Sequence, residues 1–166
     1  MIIRSERKAD IEAIFEITKE AFRNHPYSNQ TEQFIVNALR AANALTISLV
    51  AEVAERVAGH VAFSPVTISG SSPDWYGLGP VSVLPQFQRQ GIGQALIRAG
   101  LSLLKSMGAR GCVLVGEPDY YNRFGFRSFT DLIFEGVLQK YVLALPFDEE
   151  MPRGSIRHHS GFSATS

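Results

Sequence analysis

Two glycines, Gly91 and Gly93, stand in the stretch Gln88-Arg89-Gln90-Gly91-Ile92-Gly93, where a helical pattern is about to begin. Glycine costs a helix about 1 kcal/mol relative to alanine, so a pair of them in a first turn needs a reason. A helix N-terminus leaves backbone N–H groups unpaired and carries partial positive charge, which suits an oxygen-rich anion. Without Cβ atoms in the way, a phosphate can approach those groups closely. The competing explanation is close packing of helix on sheet, with no ligand at all. Two familiar phosphate loops are excluded residue by residue: a dinucleotide fingerprint needs glycine where Leu96 stands, and no Gly-Lys-Ser or Gly-Lys-Thr triplet occurs.

A second group of candidates lies further on, in "GEPDYYNRFGF". The hydroxyl of Tyr121 could give a proton to a leaving group, while Tyr120 reads as a packing residue. Glu117, Asp119 and, far upstream, Glu32 are carboxylates that could take a proton, although each also reads as a helix-end or solvated charge. His158 and His159 are adjacent and project in different directions, and His25 and His60 stand in unrelated contexts, so no metal site is expected. The single cysteine, Cys112, lies in the apolar run "CVLV" and reads as a buried, inert thiol.

These residues need elements to position them. "MIIR" predicts a short first strand, and "ADIEAIFEITKEAF" a helix with Ile11, Ile14, Phe15, Thr18, Ala21 and Phe22 on one face. "TEQFIVNALRAA" predicts a second helix, forming a hairpin with the first. The β-branched runs "TISLVAEVA" and "VAGHVAFSPVTI" predict antiparallel strands, and "WYGLGPVSV" a fourth strand that Pro80 forces to bulge or to leave its neighbour. A long helix follows the glycines and ends at Gly108. "RGCVLVG" predicts a strand buried on both faces by a parallel crossover, then comes a short helix opening at Pro118. "RSFTDLIFEGVLQKYVLAL" can hold two more strands. The expected order β-α-α-β-β-β-α-β-α-β-β is an α/β fold with a mixed central sheet of six to seven strands flanked by helices. It occupies residues 1–145 as a single domain, and residues 146–166 read as a surface tail.

Bulk properties narrow the function. Sixteen basic and sixteen acidic residues cancel, so no global field draws the chain to nucleic acid or to an anionic membrane. No window approaches the ~18 apolar residues of a membrane span, and the N-terminus lacks an apolar signal core, which predicts a cytoplasmic protein.

Gln88-x-x-Gly91-x-Gly93 after a Val-x-Val-x-Pro strand end, with Tyr121 four residues before a Gly-Phe pair, resembles the GNAT-type N-acetyltransferase superfamily. The phrases "GHVAFSPV", "GLGPVSVLP" and "GEPDYYNRFGF" are similar to its small bacterial YhbS-like branch. The resemblance spans nearly the whole chain. It implies that acetyl-CoA lies between splayed parallel strands, with backbone groups of Val81, Ser82 and Val83 facing the pantetheine arm and thioester. It implies that N–H groups of Arg89, Gln90, Gly91, Ile92, Gly93 and Gln94 hold the pyrophosphate, with Gln88 bracing the turn and the Arg89 side chain adding charge. Tyr121 would act as general acid, against a modest gradient, because a phenol at about 10 is less acidic than a thiol at about 8.5. Glu117 and Glu32 are candidate bases. Many members carry an asparagine seven residues before the tyrosine, where this chain has Leu114. "HSGF" resembles a His-x-x-Phe tail of the narrower branch, which would bring His159 toward an acceptor. The implied activity is acetyl transfer from acetyl-CoA to a primary amine, a small molecule or a peptide, by direct attack in a ternary complex, with no metal and an optional homodimer. Two alternatives remain: an inactive acyl-CoA sensor, and a dinucleotide oxidoreductase.

Overall fold

The hairpin between the second and third strands shows how closely local chemistry sets this fold. In the computed structural model, which describes all 166 residues, Val53 pairs with Arg56, and the two residues between them, Ala54 and Glu55, have φ of 49° and 64°. Two positive dihedrals in a two-residue loop make the turn whose twist matches the flanking strands. The usual Asn-Gly signature is missing, so the turn is invisible to composition, and the third strand already begins at Arg56.

In chain order the elements are β1 (Ile2–Ser5), α1 (Ile11–Phe22), α2 (Glu32–Ala41), β2 (Ile47–Val53), β3 (Arg56–Ile68), β4 (Trp75–Val83), α3 (Ile92–Ser106), β5 (Gly111–Val115), α4 (Pro118–Tyr121), β6 (Arg127–Ser128), β7 (Leu132–Ile133), β8 (Val142–Pro146) and β9 (Gly154–His158). The first nine follow the expected order. The strand count does not: there are nine, against six to seven expected. Two of the nine, β6 and β7, are two-residue pieces, and β9 lies inside the segment read as a surface tail. Its sequence, "GSIRH", alternates too briefly to announce a strand, and only its partners make it one.

The chain divides into two compact units, through both of which β3, β4 and α3 run. The first comprises Met1–Ser64, Gly79–Gly100 and Ser160–Ser166. Here β1 pairs antiparallel with β2, from Ile2↔Glu52 to Ser5↔Leu49, and β2 pairs antiparallel with β3, from Ile47↔Phe63 to Val53↔Arg56. Ile14 of α1 and Val36 of α2 pack on Val50, and Phe15 meets Phe34 edge-on at 5.7 Å. The buried stripe of α1 is Ile14, Ile17 and Thr18, narrower than its pattern suggested, and the Thr18 hydroxyl donates to the Ile14 carbonyl at 2.7 Å. Phe162, in a 3-10 turn over Ser160–Ser163, packs on Ile35, Leu39 and Ala44, which fastens the C-terminal residues to α2.

The second unit comprises Pro65–Leu78 and Leu101–His159. In it β4 runs parallel to β5 over Trp75↔Gly111, Tyr76↔Cys112 and Gly77↔Val113, and β5 is antiparallel to β8 from Gly111↔Pro146 to Val115↔Val142. Gly111 through Leu114 are buried, as a strand with sheet neighbours on both sides requires. The parallel pairing covers nothing past Gly77, and two residues on, Gly79 has φ 137° and a cis bond to Pro80. The β9 strand pairs with β3 over Val66↔His158, Thr67↔Arg157 and Ile68↔Ile156. The core is Trp75 with Val66, Ile68, Val113, Phe129, Leu132, Val142, Ala144 and Ile156. Gly111 faces the Trp75 ring so closely that no Cβ would fit.

Candidate active site

The glycine turn is held open from its own ends. Leu84 N–H bonds to Ala58 O at 2.9 Å, fastening the end of β4 to β3, and a 3-10 turn follows over Pro85–Phe87. The Gln88 side-chain amide donates to Val83 O at 3.0 Å, tying the start of the turn to the end of β4. Arg89 then takes φ 63° and Gly91 φ 84°. The first bond of α3 runs from Ala95 N–H to Gly91 O at 3.0 Å. The N–H groups of Ile92, Gly93 and Gln94, being first-turn donors, have no acceptor within the helix.

A Cβ built at Gly91 would meet nothing within 4 Å. The glycine is therefore needed for its dihedral angle and not for space, a distinction that spacing alone cannot make. Arg89 is not a glycine, and a left-handed arginine is an uncommon, costly conformation of the kind that concentrates at functional sites. Gln88, Arg89, Gln90 and Gly91 are exposed, Gly93 and Gln94 half-buried, while Ile92 anchors the turn in the core. Val81 and Val83 are half-buried and Ser82 is buried, its hydroxyl carrying no hydrogen bond in this structure.

The tyrosine motif belongs to the second unit. Pro118 opens α4, where its missing N–H costs nothing, and Glu117 O accepts the N–H groups of Tyr120 and Tyr121, both at 3.1 Å. The Tyr121 ring meets Tyr120 at 4.9 Å and 88°, Phe126 at 6.0 Å and 75°, and Phe124 at 6.1 Å. Gly116 lies under it: a Cβ there would come within 2.6 Å of Tyr121 Cε2. Burial first, then Tyr120 and Cys112, push the Tyr121 hydroxyl up to about 12. It stays protonated throughout the ordinary pH range, which a proton donor requires.

The carboxylates named from sequence fare less well. The side chain of Glu117 is exposed, and the residue's visible task is to cap α4 with its backbone. Glu32, at the start of α2, accepts the Ser28 hydroxyl at 2.7 and 2.9 Å. Asp119 is exposed, Leu114 is buried and His159 half-buried. Sequence reasoning missed a polar chain in the first unit that runs from half-buried to fully buried residues: Arg40 donates to both oxygens of Glu6 at 2.8 and 2.9 Å, Ser48 bonds Glu6, and Ser48 Oγ lies 2.7 Å from His60 Nε2. A lone histidine in "VAGHVAF" was the only signal of it. Cys112 is buried with its acidity suppressed, and no group of three histidines, cysteines or acids could hold a metal.

A mixed sheet with a parallel β4–β5 step and an open, glycine-flanked α3 N-terminus defines a class: the chain belongs to the GNAT acetyltransferases, whose Acetyltransferase (GNAT) domain pattern matches residues 2–129. Among its relatives, the uncharacterized N-acetyltransferase YhbS of Escherichia coli K12 is 35% identical over 127 residues, covering 76% of this chain and 73% of YhbS. A GNAT family acetyltransferase from Brucella melitensis, solved in complex with acetyl-CoA, is 52% identical with a TM-score of 0.86 over 97% of each chain. E. coli YhbS, solved in complex with CoA, is 28% identical with a TM-score of 0.88, covering 99% of this chain and 93% of its own.

Proposed function

We propose that this protein transfers an acetyl group from acetyl-CoA to a primary amine, by direct attack of the amine on the thioester. The observation that carries the proposal is the α3 N-terminus, where left-handed Arg89 and Gly91 and the Gln88–Val83 brace precede first-turn backbone donors that have no acceptor within the helix. That arrangement suits the pyrophosphate of CoA, and the complexes of the Brucella and E. coli relatives with acetyl-CoA and CoA support it. In this reading Val81, Ser82 and Val83 offer backbone groups to pantetheine, residues 89–94 hold the pyrophosphate, and Tyr121 protonates the departing thiolate.

Direct attack is favoured over a covalent acetyl-enzyme because the only thiol, Cys112, is fully buried with its acidity suppressed. The reaction therefore needs acetyl-CoA and amine bound together. Release of free thiol from acetyl-CoA across a panel of amines and lysine peptides tests the activity, and intersecting initial-velocity lines test the ternary complex. Tight CoA binding with no thiol release above background would replace the enzyme by a sensor, a reading that the exposed Glu117 and the weakly acidic Tyr121 keep in play. Parallel velocity lines would defeat direct attack.

A further inference from the structure

Resting on the reading that acetyl-CoA lies along Val81–Val83, the geometry points to His60 as a positioning residue for that strand: its Nδ1 accepts a hydrogen bond from the buried Ser82 hydroxyl. The polar chain of the first unit then runs from Arg40 of α2 through Glu6, Ser48 and His60 to β4.

The protons of the chain set the direction of each bond. Burial would raise Glu6, but bonds from Arg40 and Ser48 hold it below its ordinary value, so it is an ionised carboxylate and can only accept. Ser48 therefore points its one hydroxyl proton at Glu6, and it offers His60 Nε2, 2.7 Å away, a lone pair. Nε2 must carry the ring proton. Burial pushes His60 down to about 4, so the imidazole is neutral at working pH and has no second proton. Nδ1 is left as an acceptor, completely buried and without a hydrogen bond. A buried acceptor in that state is costly until a donor reaches it.

The sheet supplies a donor beside it. Gly77 lies against Val66 and Gly59 against Ser82 O, so the neighbouring strands β3 and β4 run antiparallel. The Leu84 N–H to Ala58 O bond, at 2.9 Å, makes those two residues a hydrogen-bonded pair. Two residues along each strand, Ser82 comes opposite His60 with its side chain on the same face and the Cβ atoms about 5 Å apart. Ser82 is 1% exposed, and its Oγ has no partner either. A turn about its Cα–Cβ bond, or one bridging water, joins the hydroxyl to Nδ1. The other orphaned groups of this unit are worse placed. Ser64 Oγ stands four residues further along β3, about 13 Å away. Arg4 Nε is two strands off, beyond Val50, by the pairings Arg4↔Val50 and Val50↔His60. Because the parallel pairing of β4 with β5 covers nothing past Gly77, a tie from His60 fixes the end of β4 from its β3 side.

Nitrogen-15 NMR of the histidine rings in the full chain, with His60 assigned by its absence in His60→Gln, tests the bond. Expected is the Nε2–H tautomer, with an Nδ1 resonance that moves in Ser82→Ala and returns toward wild type in Ser82→Thr. By calorimetry Ser82→Ala should bind acetyl-CoA about fivefold more weakly, the size of one net hydrogen bond, and Ser82→Thr should recover part of the loss. His60→Gln keeps an amide donor for Ser48 and removes the Nδ1 acceptor, so the double variant with Ser82→Ala should also lose about fivefold and not about twenty-fivefold. An Nδ1–H tautomer, or an Nδ1 resonance indifferent to Ser82→Ala, overturns the bond. Wild-type affinity in Ser82→Ala, or fully additive losses in the double variant, overturns the positioning role. If the wild type binds no acetyl-CoA, the cofactor reading falls and takes the positioning role with it, while the NMR result still decides the hydrogen bond.

Discussion

Gly91 and Tyr121 make separable demands, and each can be tested by one small change. At Gly91 an alanine finds room but meets φ 84°, which costs an L-residue about 1–2 kcal/mol. Gly91→Ala should therefore relax the turn and weaken CoA binding about tenfold, while the melting temperature falls by only a few degrees. Unchanged affinity by calorimetry would mean that the turn does not hold the pyrophosphate. At Tyr121 only the hydroxyl is in question, because the ring is fixed by Tyr120, Phe124, Phe126 and Gly116. Tyr121→Phe should preserve that packing and lower kcat by about one to two orders of magnitude with CoA affinity intact, as expected for loss of a general acid. Equal losses in both would sink the acid role. Moving the hydroxyl up to about 12 makes proton donation to a thiol-like group uphill by several kcal/mol unless the same surroundings desolvate the thiolate.

At the scale of elements, the legible parts are those whose signal is local. The stripes of α1 and α2, the β-branched runs of β2 and β3, and the glycine turn before α3 announce themselves by period or by residue type. The Ala54-Glu55 turn does not, because its left-handed dihedrals are imposed by strands that pair well enough to hold them. β9 is hidden for a similar reason: five residues with one large apolar side chain, Ile156, become a strand only by pairing with Val66–Ile68. The site divides the same way. Gln88 to Gln94 and Tyr121 stand in spacings that can be read, whereas Arg40, Glu6, Ser48 and His60 form a polar chain from residues far apart in sequence, which spacing does not show. The hairpin gives a direct check. Replacing Ala54-Glu55 with Asn-Gly removes two unfavourable left-handed residues and should stabilise the protein by about 1 kcal/mol, read as a higher melting temperature. A lower melting temperature would show that Ala54 or Glu55 makes an interaction outweighing its dihedral cost.

At the scale of the whole molecule, several groups respond to pH in the same direction. Burial holds His60 down to about 4, against an ordinary 6.5 in the unfolded chain. Between those values the unfolded chain binds a proton that the folded one refuses, so stability is present above pH 6.5 and is lost as pH falls toward 4. His158 acts in the same window, discounted for its exposure. Two carboxylates extend the loss to more acid conditions. Asp10 is held low by hydrogen bonds from Arg4, at 2.7 and 3.1 Å, and from Arg7 N–H at 2.6 Å, which outweigh its burial. Burial would raise Glu6, but bonds from Arg40 and Ser48 outweigh it. Tyr121 works from the other side: raised from 10 to about 12, it contributes stability below pH 10 that is lost as pH climbs toward 12. Unfolding free energy should therefore be flat from about pH 7 to 9 and fall on both sides, with His60 supplying up to about 1.4 kcal/mol per pH unit on the acid limb. His60→Gln should lower the plateau, because it alters a completely buried residue bonded to Ser48. The sharper readout is the slope between pH 4.5 and 6, which should lose close to one proton in denaturant titrations. A variant with the wild-type slope would show that His60 takes its proton in the folded state, and that Glu6, beyond Ser48, compensates the charge that burial opposes.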